Sequence, residues 1–598
     1  MKICIITTPI RPVPTAFPPF GSLAIIQSLR NNGEEVHFHH IDFHRWNADQ
    51  NYEYFKKHQF DFVGISAVVS TAYAYTKYLS YLIKDINPQT IVIVGGGLVA
   101  SADVLHRKSK IDYCVVGDGE IIVKNLVNAI KDKKTSDDEL LKIKGITFID
   151  NSDKLRFTGY EHPLPAPLLE DPDYSILEDD KSIDHYIAQR GGRTYDPEFN
   201  FTNGKTAVVI VAKGCVARCT FCHRFEKGYR VSPLEKIKNH LITLKEKYGV
   251  GYISVGDENF GSYKEETAEL AKIFGSLGFT WSVGGVRAHT VDLEMLKLWR
   301  ANGCENVLYG IESGSPTMLK VMEKKITLEQ NIAAIKATYE ARLTTTMQFV
   351  IGMPGETDKT INETVDFIKK TMKYYPDPFR DKLDFQMSVN YAQSLPGTPL
   401  YEYARENGFV SKTIEGEEKY LIDISDKDAY DNDHFINFTK QPLLKVFSWR
   451  HLMNWKVWRE HAKVNLKLDL SKIIIFIGLC TMIINKFFKT TFNSTLENEL
   501  NKFKYHNSKN PYFNFQAAPR VVDALRLLFP WNKFTYPFLC IIIAYKEASN
   551  LKWFFKMIFE HIIWNFKNID LSKLPNQSLR KTVKISDTDE TLELRRGR

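Results

Sequence analysis

The chain has 598 residues, 44% hydrophobic and 25% charged, which excludes a disordered or fibrous chain and allows three or four domains, each with its own core. Eight cysteines in that length do not make a disulfide framework. The net charge of +8 is uneven: residues 441–598 hold 26 Lys and Arg against 12 Asp and Glu, a net +14, which leaves −6 for the first 440. A basic tail on a mildly acidic body fits nucleic acid or an anionic membrane surface.

Lys2-Ile-Cys-Ile-Ile6 reads as a first strand and not as a secretory leader, because Pro9, Pro12 and Pro14 follow at once. Strand and helix then alternate over 1–135, with strands at 3–7, 35–41, 62–66, 91–94 and 113–116 and helices at 22–31 and 76–86. This pattern predicts an α/β, Rossmann-like doubly wound parallel sheet. Ligands of such sheets sit beyond the carboxyl ends of the strands. Ser66, Thr71, Gly95, Gly96, Gly97 and Gly117 fall there, and glycine lets the backbone approach a large flat ligand. These residues alone leave a flavodoxin-like sheet open as the lesser alternative. His37, His39, His40, His44 and Asp42 resemble a metal cluster, but strand alternation puts His37 and His39 on one face and His40 and Asp42 on the other. An edge or surface strand is expected there instead. Residues 136–204 read as a linker region, with a strand within 142–150 and an extended crossing marked by Pro163, Pro165, Pro167 and Pro172.

The apolar run 207–212 leads into Lys213-Gly-Cys215-Val-Ala-Arg-Cys219-Thr-Phe-Cys222-His223. Three thiolates on one short loop can hold three irons of a 4Fe–4S cluster, leaving the fourth iron open to a ligand. Phe221 would help exclude water. A zinc knuckle is the competing reading, but it wants a fourth ligand and C-x2-C pairs, and His223 directly follows Cys222. Cys4, Cys114, Cys304, Cys480 and Cys540 lie in apolar contexts and are expected to be buried thiols. Residues 205–415 alternate again, with strands at 207–212, 251–255, 279–283, 306–310, 345–351 and 384–392. Helices are expected at 233–248, 263–277, 292–302, 315–323, 328–342 and 360–374. Six units predict a partial, open (β/α)6 barrel with ligands at the strand carboxyl ends. Those ends carry Gly256-Asp257-Glu258-Asn259, Val286-Arg287, Gly310-Ile-Glu312 and Gly352-Met-Pro354-Gly355-Glu356. Leu395-Pro-Gly-Thr-Pro399 closes the domain.

Residues 416–598 are expected to be mostly helical, basic and aromatic. The apolar runs at 472–484 and 538–544 are shorter than the roughly 20 residues a membrane span needs. Trp449, Trp455, Trp458, Trp531, Trp553 and Trp564 are interleaved with lysines. Interfacial membrane attachment and a helical cap over the active site stay open. No Arg-rich or recognition-helix pattern favours nucleic acid.

The cysteine loop resembles that of the radical S-adenosylmethionine (SAM) enzymes. Pro19-Phe-Gly-Ser-Leu-Ala24, Val63-Gly-Ile-Ser66, Val94-Gly-Gly-Gly97 and Val116-Gly-Asp-Gly-Glu120 together resemble the cobalamin-binding domain fused ahead of many of them. That domain lacks the Asp-x-His-x-x-Gly loop whose histidine ligates cobalt elsewhere, and this chain lacks it too. The resemblance covers residues 1 to about 415. It implies a 4Fe–4S cluster on Cys215, Cys219 and Cys222. It implies SAM against Phe221, Gly256, Asp257, Glu258, Arg287, Glu312, Gly352 and Pro354, with the 257–258 carboxylate taking the SAM amino group. Arg287 would face the methionine carboxylate, and the 352–354 turn the adenine. It implies cobalamin against Ser66, Thr71, Gly95, Gly96, Gly97 and Gly117. The activity implied is that of a class B radical SAM methyltransferase: a C-methyltransferase acting on an unactivated carbon, of a lipid if the tail is interfacial. A flavodoxin- or ferredoxin-type electron donor and a cytoplasmic location follow, peripheral at the inner membrane face in the lipid case. Cyclisation or rearrangement without net methyl transfer, and a non-catalytic sensor, remain as alternatives. No catalytic acid or base stands out.

Overall fold

Two open, mostly parallel sheets set the architecture. The computed structural model describes residues 1–189, 204–223, 228–374, 387–427, 435–465, 536–548, 551–565 and 574–583. The first sheet contains β1 (Lys2–Thr7), β2 (Glu35–His40), β3 (Phe62–Ser66), β4 (Ile91–Gly95), β5 (Tyr113–Val115), β6 (Ile146–Ile149) and β7 (Leu155–Phe157). Their order is β2-β1-β3-β4-β5-β6-β7. The first five are parallel, as expected, and β6 and β7 run antiparallel. The inner strands β1, β3 and β4 are near-continuous apolar runs, as expected where both faces are covered. Ile3, Ile5, Phe62 and Ile93 pack with the helices Phe20–Asn31 and Gly119–Lys131. Cys4, Ile6, Val63, Ile65, Val92 and Val94 pack with Tyr73–Ile86 and Ala102–Lys108 on the other side.

The second sheet contains β8 (Ala188–Gln189), β9 (Lys205–Val209), β12 (Val250–Val255), β13 (Thr280–Val286), β14 (Cys304–Glu312), β15 (Thr344–Ile351) and β16 (Met387–Tyr391). A separate small pair joins β10 (Ala212–Lys213) to β11 (Arg230–Val231). The order is β16-β15-β14-β13-β12-β9-β8, with six parallel strands and β8 antiparallel at one edge. This is the open six-fold barrel expected. Its helices open on ordinary caps: Asp292 on Leu293–Ala301, and capping boxes from Thr327 and Thr357.

The stretch 136–204, expected as linker, supplies β6, β7 and β8. The histidine-rich strand β2 is an edge strand, as expected, but not a surface one, since His39 and His40 are buried. Asp180 accounts for that: it bridges His40 Nδ1 and His44 Nε2, each at 3.0 Å, and the Tyr186 hydroxyl lies 2.9 Å from His40 Nε2. His39 Nε2 lies 2.9 Å from Asn51 Oδ1.

After the barrel, the helix Ile414–Ile424 returns to the first domain. There Glu418 accepts from Tyr73 and Lys77, and Asp426 N donates to Thr71 O (3.0 Å). The helix Leu443–Asn465 lies on Asp358–Thr371. Trp449 Nε1 donates to Asp358 Oδ1 and Lys456 Nζ to Asn362 Oδ1, both at 2.7 Å. The helices Tyr536–Glu547 and Leu551–Asn565 pack against it, with His451 Nε2 2.7 Å from Glu547. The 472–484 run, Cys480 and Trp531 lie outside the described residues, as does the side chain of Trp458. No described helix is long and apolar enough to cross a membrane. Cys4, Cys114, Cys304 and Cys540 are buried, as expected.

Candidate active site

The cysteine loop is held at both ends. At its entry, buried Asp257 from the end of β12 accepts from Val211 N (2.9 Å) and Ala212 N (3.3 Å) with one oxygen. At its exit, Thr220 N donates to Met322 O (2.9 Å), Thr220 Oγ1 to Val321 O (3.0 Å), and Leu400 N to Thr220 O (2.9 Å). Phe221 packs on the apolar cluster around Met318, Met322 and Leu400. Arg287 Nη1 lies 3.9 Å from Cys219 Sγ, and Nη2 donates to Lys324 O. Buried Lys324 pairs with Glu312 Oε1 at 2.9 Å. Desolvation lowers that amine, but Glu312 and Cys219 outweigh it and hold the lysine above its ordinary value. Glu312 sits at φ 64°, and a Cβ on Gly310 would lie 2.6 Å from its Oε1. A Cβ on Gly285 would lie 2.2 Å from Asp257 O, so the end of β13 nests on the 257–258 backbone. In the last element, Gly352 (φ +83°) donates to buried Glu356 Oε2 at 2.6 Å, and Pro354 is buried.

Asp257 and Glu258 face different surroundings. Burial pushes Asp257 up to about 7 against the pull of its two amide donors. Glu258 is exposed and lies close enough to Cys215 and Cys222 to disfavour their ionisation. Arg287 faces the cysteine loop rather than open space. Lys324 was not visible as a site residue in the sequence, where Glu323-Lys-Lys325 looks like a solvated charge run.

The first sheet presents its own strand ends to this loop. Gly96 (φ +94°) passes so close to the preceding turn that a Cβ would lie 2.4 Å from Ala67 O, and Gly97 N donates to Val68 O at 3.0 Å. Gly95 is open, with nothing within 4 Å of an added Cβ, and Gly117 (φ +107°) is exposed. Ser66 O accepts from Thr8 Oγ1 at 3.0 Å. Thr71 is buried and donates to Ile10 O at 2.9 Å, which ties down the loop after β1. Near the cysteine loop, the described residues of the two halves meet in several places. A Cβ on Gly397 would lie 2.8 Å from His223 and 3.0 Å from Ala100. A Cβ on Gly256 would lie 3.0 Å from Phe17. Asp118 pairs with Arg230 at 2.9 Å and Lys213 at 3.8 Å, and Lys213 also pairs with Glu120.

The family model for the B12 binding domain matches residues 7–127, and that for the radical SAM superfamily matches residues 209–368. The chain carries a B12 binding domain and a radical SAM domain, and it is an enzyme. An uncharacterized methyltransferase of Pyrococcus horikoshii is 28% identical over 434 residues, 69% of this chain and 84% of that protein. An anaerobic magnesium-protoporphyrin IX monomethyl ester cyclase of Rubrivivax gelatinosus is 28% identical over 338 residues, 54% of this chain and only 57% of the relative. Among solved structures, the cobalamin-dependent SAM radical enzyme OxsB with aqua-cobalamin matches with TM-score 0.58 at 13% identity, covering 99% of this chain and 83% of that one. The radical SAM methyltransferase TsrM of Kitasatospora setae matches with TM-score 0.52 at 19% identity, covering 68% and 75%.

The radical SAM enzyme's cofactors fit the residues present. No three described His, Cys, Asp or Glu side chains are set to grip a single metal ion. A cubane asks for something else, because each thiolate binds a different iron. Desolvation, with the nearby Cys219, Glu258, Cys215 and Glu312, pushes the Cys222 thiol up to about 12. Such a crowded anionic set gains most from bound cations. Gly95, Gly96 and Gly117 leave backbone uncovered at the strand ends, as a broad flat ligand requires, whereas Gly97 is buried.

Proposed function

We propose that the protein is a C-methyltransferase acting on an unactivated carbon of a small or lipid-like substrate. The carrying observation is the meeting of the cysteine loop and the glycine-lined strand ends of the first sheet at Gly397, His223 and Ala100. When bound, the cluster and SAM supply a hydrogen-abstracting radical, and the cobalamin supplies a methyl group. The chain's residues position these groups. Cys215, Cys219 and Cys222 would hold the cluster. Glu258 would receive the SAM amino group, with Arg287, Lys324 and Glu312 fixing the polar end and the Gly352–Pro354 turn facing the adenine. Gly95, Gly96, Gly97 and Gly117 would receive the corrin, while Ser66 and Thr71 hold the Thr8–Ile10 stretch beside it. The Pyrococcus relative, named a methyltransferase, supports this reading. The Rubrivivax relative, named a cyclase, supports a second one, ring closure without net methyl transfer.

The C-terminal helices support attachment to an anionic membrane surface on the cytoplasmic side. Phe538, Ile541, Ile542, Leu551, Phe555, Phe559 and Ile562 are 40–71% exposed and follow helical spacing, beside exposed Lys552 and Lys556. The reaction also needs a low-potential electron donor of flavodoxin or ferredoxin type.

The test is the fate of SAM. Anaerobically rebuilt enzyme receives hydroxocobalamin, a low-potential reductant and membrane extract. The proposal expects 5′-deoxyadenosine and S-adenosylhomocysteine to form together, dependent on Cys215. 5′-Deoxyadenosine alone would favour ring closure.

A further inference from the structure

Residues 574–583 come from the far end of the chain yet sit on the SAM half of the site. Arg580 Nη2 donates to the carbonyl of Arg218, 362 residues earlier and between Cys215 and Cys219, at 3.3 Å. Arg580 Nε and Ser578 Oγ both reach Glu323 Oε2, at 3.2 and 3.1 Å. Glu323 directly precedes Lys324, whose amine holds Glu312 and whose carbonyl holds Arg287. Pro575 lies on the turn after β15, where a Cβ on Gly355 would come within 2.1 Å of its carbonyl oxygen. Leu579 and Val583 anchor the segment, buried in the cluster with Met318, Met322, Met353 and Leu400 that also receives Phe221. One short segment therefore touches the cysteine loop, the Glu323–Lys324 turn and the Gly352–Gly355 turn.

We propose that this C-terminal segment is a working part of the SAM site, with Arg580 as a positioning residue for the cysteine loop. Asp257 fixes the loop's entry and Thr220 its exit, and Arg580 reaches the stretch between the first two cysteines. A guanidinium suits this task because its planar fork serves the carboxylate and the carbonyl at once, which one ammonium cannot do in the same geometry. The reading of Cys215, Cys219 and Cys222 as cluster ligands underlies it.

The experiment uses full-length protein with its cluster rebuilt, comparing wild type, Arg580→Gln, Arg580→Lys and Glu323→Gln. Three quantities are read: the rate of cluster bleaching by a chelator, the electron paramagnetic resonance spectrum of the reduced cluster with and without SAM, and thermal unfolding. Loss of one charge-assisted contact predicts bleaching up to about tenfold faster in Arg580→Gln. The expected pattern also has a changed SAM-bound spectrum, partial rescue in Arg580→Lys, a smaller effect in Glu323→Gln and unchanged unfolding temperatures. Wild-type bleaching and spectra in Arg580→Gln would overturn the proposal. So would faster bleaching that tracks a fall in unfolding temperature across the set, since that is a general folding role. A wild-type protein that takes up no cluster would instead sink the ligand assignment beneath it.

Discussion

Asp257→Asn separates the two adjacent carboxylates of the site. Asp257 Oδ1 takes both amide donors, from Val211 and Ala212, and an asparagine oxygen can do the same. What the substitution removes is the charge. Burial holds the Asp257 carboxyl at about 7 in the folded protein, against an ordinary value of 3.8. A raised folded value means this group's contribution to stability is complete below pH ~4, falls as pH rises toward about 7, and stays lost above it. The full span corresponds to about 4 kcal/mol. At pH 5 only about a third of that is lost, so the stability of Asp257→Asn relative to wild type should grow by about 2–3 kcal/mol between pH 5 and pH 8. Urea unfolding at the two pH values measures it. With the cluster in place, Asp257→Asn should keep SAM affinity, whereas Glu258→Gln should lose about tenfold, the scale of one charge-assisted contact. An Asn variant that is less stable at both pH values by the same margin would refute the reasoning. So would a loss of SAM binding in Asp257→Asn with Glu258→Gln unaffected.

Three further outcomes are expected. Gly96→Ala places a side chain at φ +94° and 2.4 Å from Ala67 O, so it should cost about 1–3 kcal/mol and abolish cobalamin uptake, read by absorbance titration. Lys324→Met leaves Glu312 without its buried partner and should cost about 3–5 kcal/mol, with Lys324→Met/Glu312→Leu recovering much of the loss in a thermal-unfolding cycle. Phe555→Glu/Phe559→Glu should abolish co-sedimentation with phosphatidylglycerol vesicles while leaving SAM cleavage intact; unchanged co-sedimentation would remove the membrane reading.

Both sheets were legible because their strands are short apolar runs bounded by glycine and separated by amphipathic helices of ordinary length. β7, β8, β10 and β11 were not, since each is two or three residues long and exists only through its tertiary partner. The histidine-rich strand read correctly as an edge, but its burial depends on Asp180, some 140 residues away. Neighbouring residues at a strand end point in opposite directions, so Gly256-Asp257-Glu258 by itself does not say which carboxylate faces the cysteines. The tail offered two readings from composition; in the structure Leu579 and Arg580 lie against Phe221's apolar cluster and the Arg218 carbonyl, while the Phe555–Phe559 stripe is exposed. Nothing in the local sequence around Arg580 marks it, because its partners lie 257 and 362 residues away.

The central claim is that one chain holds cobalamin and cluster at facing strand ends. The most direct measurement is pulsed electron paramagnetic resonance on protein loaded with both, looking for magnetic coupling between cob(II)alamin and the reduced cluster. The account predicts coupling in the wild type and its loss in Cys215→Ala, which keeps its cobalamin. Both cofactors bound at full stoichiometry with no coupling would contradict it.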